Sequence, residues 1–505
     1  MTMSLLASLP IILLLFSLLV LKTTARKAGA SAFLASAIIA VSFFGLGSTG
    51  LAISVGKGVA LAIYVSLIIT AAIYLYNIVN DLKAVDVISE HLVHHIQDPF
   101  VLFLLLAWLF SSFLQGIAGF GVPVAIVAPI LLRLGYDPLM SVAAVLIGHC
   151  WSISFGSMGS SLFALSLVTS LAPRNLALWM GVYDMAALVF TGAAVAWLYG
   201  GWKSLRNGWR YILLGSTGVS AFMFVVISLD LTSLIGLIST IFGMVVFVGY
   251  YKFRNSSTPS QVPTNKMSFA EAILPYALIV VASVGLQFVP YRISILSFNF
   301  PAYETALGFS ASAAKGFAAI SLLRHPAPII LMCGGISLLY YRQRGLWDSK
   351  RFLPVVRATF DKCIPTFISL VFLVSTATIM MGSGMTERIA QGVASMTGSF
   401  YPLFAPFIGI LGAFITGSNT NSNVIFGSFQ KTIAETMQVN PVAMSGVQSI
   451  GGSVGCAVGP TQVLLGTSSV GLQGKESDVY KILVTKVLLL GLILGILNIV
   501  ILRLI

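Results

Sequence analysis

Charge is what this chain has least of: 9% of its 505 residues are Asp, Glu, Lys or Arg, against 57% hydrophobic residues and a mean hydropathy of +0.98. So few charges cannot cover a soluble domain, so the composition excludes one and leaves a helical protein that crosses a membrane many times. Acidic residues are scarcer than basic ones, 15 against 28, but the resulting net charge of +13 does not describe a nucleic-acid surface. The basic residues fall between apolar runs, where cytoplasmic loops of membrane proteins collect them. Cysteine is sparse as well. Cys150, Cys333, Cys363 and Cys456 lack the paired spacing of disulfides or metal sites and read as packing residues. His91-Leu-Val-His94-His95 has the look of a di-iron box, yet His149 and His325 are the only other histidines, too few for two irons. With Asp81, Lys83, Asp86, Glu90 and Asp98 around it, that stretch reads as an amphipathic surface connector. No Walker A loop, Ser-His-Asp arrangement or zinc spacing occurs. The reading is therefore not an enzyme, with no cofactor and no metal, and ATP-driven pumping would need another subunit.

What the chain has in quantity is apolar sequence in bilayer-spanning lengths, which predicts an all-α polytopic membrane protein of about 12–14 transmembrane segments. Residues 4–21 carry no preceding positive charge and are followed by Lys22, Arg26 and Lys27, so they read as a retained first helix with the N-terminus outside. Basic segments at Lys203 to Arg210, Lys252 to Lys266 and Arg342 to Lys362 are each two spans apart and can all face the cytoplasm. One further span is expected over 317–341. The segment 252–268, with Asn255-Ser-Ser-Thr-Pro-Ser-Gln-Val-Pro263, reads as a cytoplasmic linker between a first half, 1–251, and a second half, 269–505.

The halves share a pattern. Phe113-Leu-Gln-Gly116 parallels Phe414-Ile-Thr-Gly417, a short helix follows each, and Asp137-Pro138 matches Asn440-Pro441. About one helix beyond each proline the sequence turns rich in glycine and serine, at Ser154 to Ser161 and at Gly451 to Gly455. Short, glycine-interrupted apolar segments at corresponding positions point to two inverted repeats with broken or re-entrant helices meeting at the midplane. The repeat cores are placed at about 100–172 and 401–475.

Within those cores, Thr416-Gly-Ser-Asn-Thr-Asn-Ser-Asn423 stands out, because an irregular polar stretch at membrane depth is tolerated only where it is buried in protein or lines a wet cavity. Asn419, Asn421 and Asn423 bring amides, and Thr416, Ser418, Thr420 and Ser422 bring hydroxyls, so the stretch accepts and donates without charge. The same oxygens suit Na⁺. None of the three asparagines has Ser or Thr two positions on, so glycosylation does not explain them. In the first half, Gln115-Gly-Ile-Ala-Gly-Phe-Gly-Val-Pro123 opens a short helix whose free amides and positive dipole end suit an anion. The solute site is accordingly placed at Gln115, Gly116, Gly119, Phe120 and Gly121, at Ser154, Gly156 and Ser157, and at Thr416, Gly417, Ser418, Asn419, Thr420, Asn421, Ser422 and Asn423. His149 and Asp184, ionisable residues inside apolar sequence, are the proton-coupling candidates. Arg324-His325-Pro326 can face an anion or be a kinked interface segment, and Gly459 to Glu476 reads as the second-half partner of Ser157 to Ser170.

Over nearly its whole length the chain resembles the bacterial and archaeal lactate permease family. The resemblance is sharpest at Gly119 to Ile126, Phe155 to Gly159, Thr416 to Gln430 and Val470 to Ser477. It implies secondary transport of L-lactate, D-lactate or glycolate in symport with protons, through the plasma membrane of a prokaryote. It also implies kinship to ion transporters with re-entrant hairpins and inverted repeats, and by analogy an elevator-type motion. Three positions depart from the best-known members: Gln115 stands where they carry Glu, Asn419 where they carry Asp, and Cys456 where they carry Lys. The expected partners are thus a small lactate-like anion, H⁺ or alternatively Na⁺, and the lipid bilayer, with no nucleic acid. Another small organic anion, uncoupled transport or a passive channel remain alternative readings, and association into a homo-oligomer stays open.

Overall fold

Helix satisfies its own backbone amides in hydrocarbon. The computed structural model, which describes residues 2–21, 23–119, 121–255, 267–289 and 294–505, is helical nearly throughout. Most of the 252–268 linker and Phe120 thus lie outside the described residues. Among those described, ten helices are long and apolar enough to cross a membrane. One of them, Pro173–Ser228, is bent at Gly200 and Gly201 and supplies two limbs, while Met3–Leu18 and Val122–Arg133 add shorter apolar helices. The all-α polytopic fold expected from composition is what forms. The His91 to His95 stretch lies on the helix Ala84–His95, which carries Asp86 in its first turn and is tied to Arg133 at 3.7 Å. Burial first, then the charge of His95, holds His91 below the ordinary histidine range.

The expected span over 317–341 needs correction. Residues Ala314–Ser321 form a strand antiparallel to Ser294–Phe300, with a short second ladder pairing Tyr303 with Ala311, and the helix begins only at Pro326. Phe317 and the alanines around it made this strand look like the start of a span. His325, whose ring nitrogen accepts from the Ala327 amide at 3.2 Å, and Pro326 mark the true helix start.

The helix Ser48–Asp81 serves as a ruler for direction. At its C-terminal end Asp81 pairs with Arg351 at 3.1 Å, and Asp86 just beyond pairs with Arg133. At its N-terminal end Ser54 Oγ meets the Tyr303 hydroxyl at 2.8 Å, which donates to Gly382 O at 3.1 Å. The first-half segments Pro99–Ile117 and Val122–Arg133 run into the bundle and back, since the Tyr136 hydroxyl just past the second donates to Pro99 O at 2.7 Å. They form a re-entrant hairpin opening on the Asp81 side. The next helix, Pro138–His149, leads through Cys150–Phe155 and the break at Gly156 to Thr169, whose end lies with Ser54 and Tyr303 on the opposite side.

The second half repeats this order with opposite sense. Tyr401–Thr416 and Asn419–Thr436 form a hairpin, held by Gln430, which takes a hydrogen bond from Tyr401 and donates to Ala405 O at 3.1 Å. Its outer limb rides beside the half-helix ending at Thr169, with Gly427 against Leu165 and Val168, so this hairpin opens on the Ser54 side. Pro441–Cys456 and Pro460–Ser469 then carry the chain back across. Gly466 rests on Val124 and Val142 of the first half. The two hairpins thus open toward opposite ends of the helix Ser48–Asp81.

Glycine makes the second repeat possible. A Cβ on Gly409, Gly451 or Gly455 would collide with the backbone of the facing helix, at Gln448, Pro406 and Ile410 respectively. The helices Tyr401–Thr416 and Pro441–Cys456 therefore touch backbone to backbone, as small residues allow in membranes. Gly451→Val should lower stability by about 1–3 kcal/mol through overpacking, read as a reduced melting temperature of the detergent-purified protein. Gly249→Ala, at a helical site with nothing within 4 Å, should leave it unchanged or slightly raised.

Candidate functional site

Four helix breaks meet at the centre, and each has a local cause. Gly121 (φ +82°) caps Val122–Arg133, whose first turn holds Pro123. Ser157, Met158 and Gly159 are all left-handed (φ 47°, 54° and 78°) and interrupt the helix after Gly156. Gly417 (φ +68°) ends one helix and Ser418 caps the next, its side chain accepting from the Asn421 amide. Pro460 starts the last half-helix after Gly459. At every break one half-helix begins, so four N-termini with their partial positive charge converge on one cavity inside the bundle.

The polar stretch 416–423 is shorter as a break than the sequence suggested. Only Gly417 and Ser418 leave the helix, and Asn419 to Asn423 form the first turns of Asn419–Thr436. The asparagine amides reach across to neighbouring helices instead of competing for their own backbone, so the helix survives. Asn419 Nδ2 donates to Ser154 Oγ at 3.0 Å and Ser453 Oγ at 3.2 Å, and Asn423 Nδ2 donates to Ser161 O at 3.1 Å and Ser449 Oγ at 2.9 Å. Ser154 in turn meets Ser453 Oγ at 2.6 Å and Ser449 Oγ at 2.9 Å, while Ser161 and Thr420 share a hydrogen bond of 2.9 Å. Behind this layer Ser422 donates to Gly409 O and accepts from Gln448, which bonds Gln430.

The network surrounds a cavity lined by Gln115, Gly119, Ile153, Ser157, Ser160, Ser161, Gly417, Ser418, Asn419, Thr420, Cys456 and Gln462, with no charged side chain among them. Its volume is about 30 Å³, room for roughly two waters. The Gly119 amide donates to Ser157 Oγ at 2.7 Å, an approach that a Cβ at residue 119 would block. The side-chain oxygens of Gln115, Asn419 and Gln462 are buried and accept no hydrogen bond among the described residues. The wall thus offers acceptors as well as the donors of the helix starts.

Of the residues placed at the site from sequence, Gln115, Gly119, Ser157, Gly417, Ser418, Asn419 and Thr420 line this cavity. Ser154, Ser422 and Asn423 stand one layer back in the network. Gly116 packs on Gly236 and Leu237, Gly121 on Leu465, and Gly156 on Gln115, so these glycines serve close packing. Thr416 Oγ1 bonds back to Gly412 O and Ser418 O within its own break, and Asn421 is buried beside the wall without lining it. Phe120 lies outside the described residues. His149 and Asp184 are buried but do not line the cavity. His149 Nδ1 meets Val145 O at 2.5 Å, whereas neither oxygen of Asp184 has a hydrogen-bond partner among the described residues. Sequence reasoning missed Ile153, Ser160, Ser161, Gln462 and Cys456 as lining residues, the last having been read as a packing residue, and Ser449 and Ser453 as network residues. The four-residue spacing of Ser449 and Ser453 on a glycine-rich helix was the available signal. The free cysteines are all buried, and no cluster of three or more metal-ligating side chains occurs among the described residues.

The sequence matches the profile of a family described as L-lactate permease over residues 3–505. Among curated relatives, the L-lactate permease of Streptococcus iniae is 30% identical over 75% of this chain and 79% of its own. The glycolate permease GlcA of Escherichia coli K12 is 25% identical, and the L-lactate permease of the same strain 24%, each over 98% of this chain and 95% of its own length.

Because Ser154 ties three helices together, Ser154→Ala should cost about 1–3 kcal/mol of stability by leaving the Asn419 amide short of a partner. The check is the melting temperature of the purified variant. Ser395→Ala, whose exposed hydroxyl bonds only Gly392 O, should show no change.

Proposed function

The chain belongs to the L-lactate permease family, and we propose that it is a secondary carrier, not an enzyme, moving lactate or glycolate across the plasma membrane through the midplane cavity in symport with protons. The observation that carries this reading is the meeting of four half-helix N-termini at a cavity with acceptors and hydroxyls but no fixed charge. A 2-hydroxy monocarboxylate matches both halves of that chemistry. Its carboxylate accepts from the amides and hydroxyls at the helix starts, and its 2-hydroxyl donates to an amide oxygen of Gln115, Asn419 or Gln462.

Such a site binds modestly. Each neutral hydrogen bond contributes on the order of 0.5–1.5 kcal/mol net, and each helix terminus about 0.3–2. An affinity of roughly micromolar to millimolar follows, which suits a carrier that must release its solute. The volume of about 30 Å³ is too small for a six-heavy-atom acid. Loading therefore requires the two hairpin tips to part, and their opposite openings give each face of the membrane its own route. With Gln115 and Asn419 neutral, the coupling proton travels elsewhere. Asp184, an acid inside the bundle with neither oxygen hydrogen-bonded, is the group for that role, with His149 second.

The test is uptake of labelled L-lactate into proteoliposomes with an inward proton gradient imposed or collapsed. Saturable accumulation that needs the gradient and yields to excess glycolate is expected. Gln115→Leu and Asn419→Leu at equal membrane abundance should lower kcat/KM by tenfold or more, on the order of 1.4 kcal/mol. Asp184→Asn should leave exchange of lactate for lactate intact while abolishing gradient-driven accumulation. Normal uptake by both Leu variants would refute the site, and accumulation driven by Na⁺ alone would replace the coupling ion.

A further inference from the structure

A second cavity, of about 200 Å³, lies on the Ser54 side of the bundle, and among the described residues Lys57 is the one charged residue that lines it. Lys57 belongs to the membrane-spanning helix Ser48–Asp81, nine residues past its start, so it sits roughly 14 Å down the helix axis. It is half-buried and makes no ion pair among the described residues. An ionisable residue that lines a recess of a membrane bundle marks a solute path by default.

The rest of the wall fits that role. Ser54, Ser170, Tyr303, Ser310 and Thr378 supply hydroxyls around the cavity. The strand-bearing segment 294–321 roofs it and is fastened down at three points. Tyr303 bonds Ser54 and Gly382, the Ala306 amide donates to Gly45 O at 2.8 Å, and Phe309 rests on Gly384. One side of the cavity is Leu167, Val168 and Ser170, the far end of the half-helix whose near end, Ser157 to Ser161, lines the central cavity.

We infer that this roofed cavity is an outer anion-collecting site, in which Lys57 and the surrounding hydroxyls hold a small carboxylate before it passes to the midplane. The inference rests on the transport reading above. The site supplies the fixed positive charge that the central cavity lacks, and it is large enough to receive a lactate-sized solute without any opening movement. A cation in a low-dielectric recess raises the local concentration of anions and their rate of entry. The outer side is assigned because the opposite end of the same helix carries Asp81 against Arg351, within the basic segment that faces the cytoplasm.

Lys57→Gln and Lys57→Arg, reconstituted at equal density, are the test, with L-lactate as probe. In zero-trans uptake at low ionic strength, Lys57→Gln should lose about tenfold in kcat/KM, Lys57→Arg should retain most of the wild-type value, and the difference should shrink as salt is raised. Calorimetric titration of L-lactate into the detergent-purified proteins should give two sites per chain in wild type and Lys57→Arg, and one in Lys57→Gln. Equal kcat/KM and equal stoichiometry in wild type and Lys57→Gln would overturn the inference and leave the transport reading standing. A wild-type protein that neither binds nor moves lactate would overturn both.

Discussion

An amide left without a partner in hydrocarbon costs several kcal/mol, and this protein breaks four helices at the middle of the membrane. Everything around those breaks answers that cost. Ser157 takes the Gly119 amide, Ser418 takes the Asn421 amide, and the Asn419 and Asn423 side chains stitch the second hairpin to Ser154, Ser161, Ser449 and Ser453. The breaks survive because each is buried against the others, so the central cavity and the structural network are built from the same residues.

That dependence explains the distribution of glycine. Gly452 sits against Asn419 and Gly412 against Ser422, close enough for Asn419 to reach Ser453 and for Gln448 to reach Ser422. Larger residues would hold the helices apart and leave amide groups stranded, so small-residue packing and polar satisfaction stand or fall together. Charge is kept out of this centre and placed at its margins. Lys57 borders the recess beside Ser54, Asp184 lies in the bundle, and Arg133 and Arg351 pair with acids at the other end of the helix Ser48–Asp81. On the transport reading proposed above, a neutral centre with positive helix ends holds a monoanion weakly and releases it easily.

Sequence alone determined a good deal. Low charge and long apolar runs dictated a polytopic helical bundle, because no other fold satisfies such a chain in lipid. Paired glycine-interrupted segments with matching Asp137-Pro138 and Asn440-Pro441 indicated inverted repeats, because the same broken geometry needs the same turn residues twice. Gln115, Ser157, Asn419 and Thr420 were legible for a related reason: polar groups are too costly at membrane depth to occur there without a partner or a task.

Local pattern was silent wherever the outcome depended on a distant partner. Asn419 to Asn423 fold as helix because serines some 30 or 260 residues away receive their amides. Phe317 lies in a strand because Phe298, across an antiparallel ladder, pairs with it. Gln462 joins the cavity, and Asp184 and His149 stay out of it, through packing between halves that no window of sequence contains. Composition and periodicity decide which segments enter the membrane, since that depends on each segment's own transfer free energy. Only the tertiary structure decides which polar groups share a cavity, because that depends on how close glycine lets separate helices come.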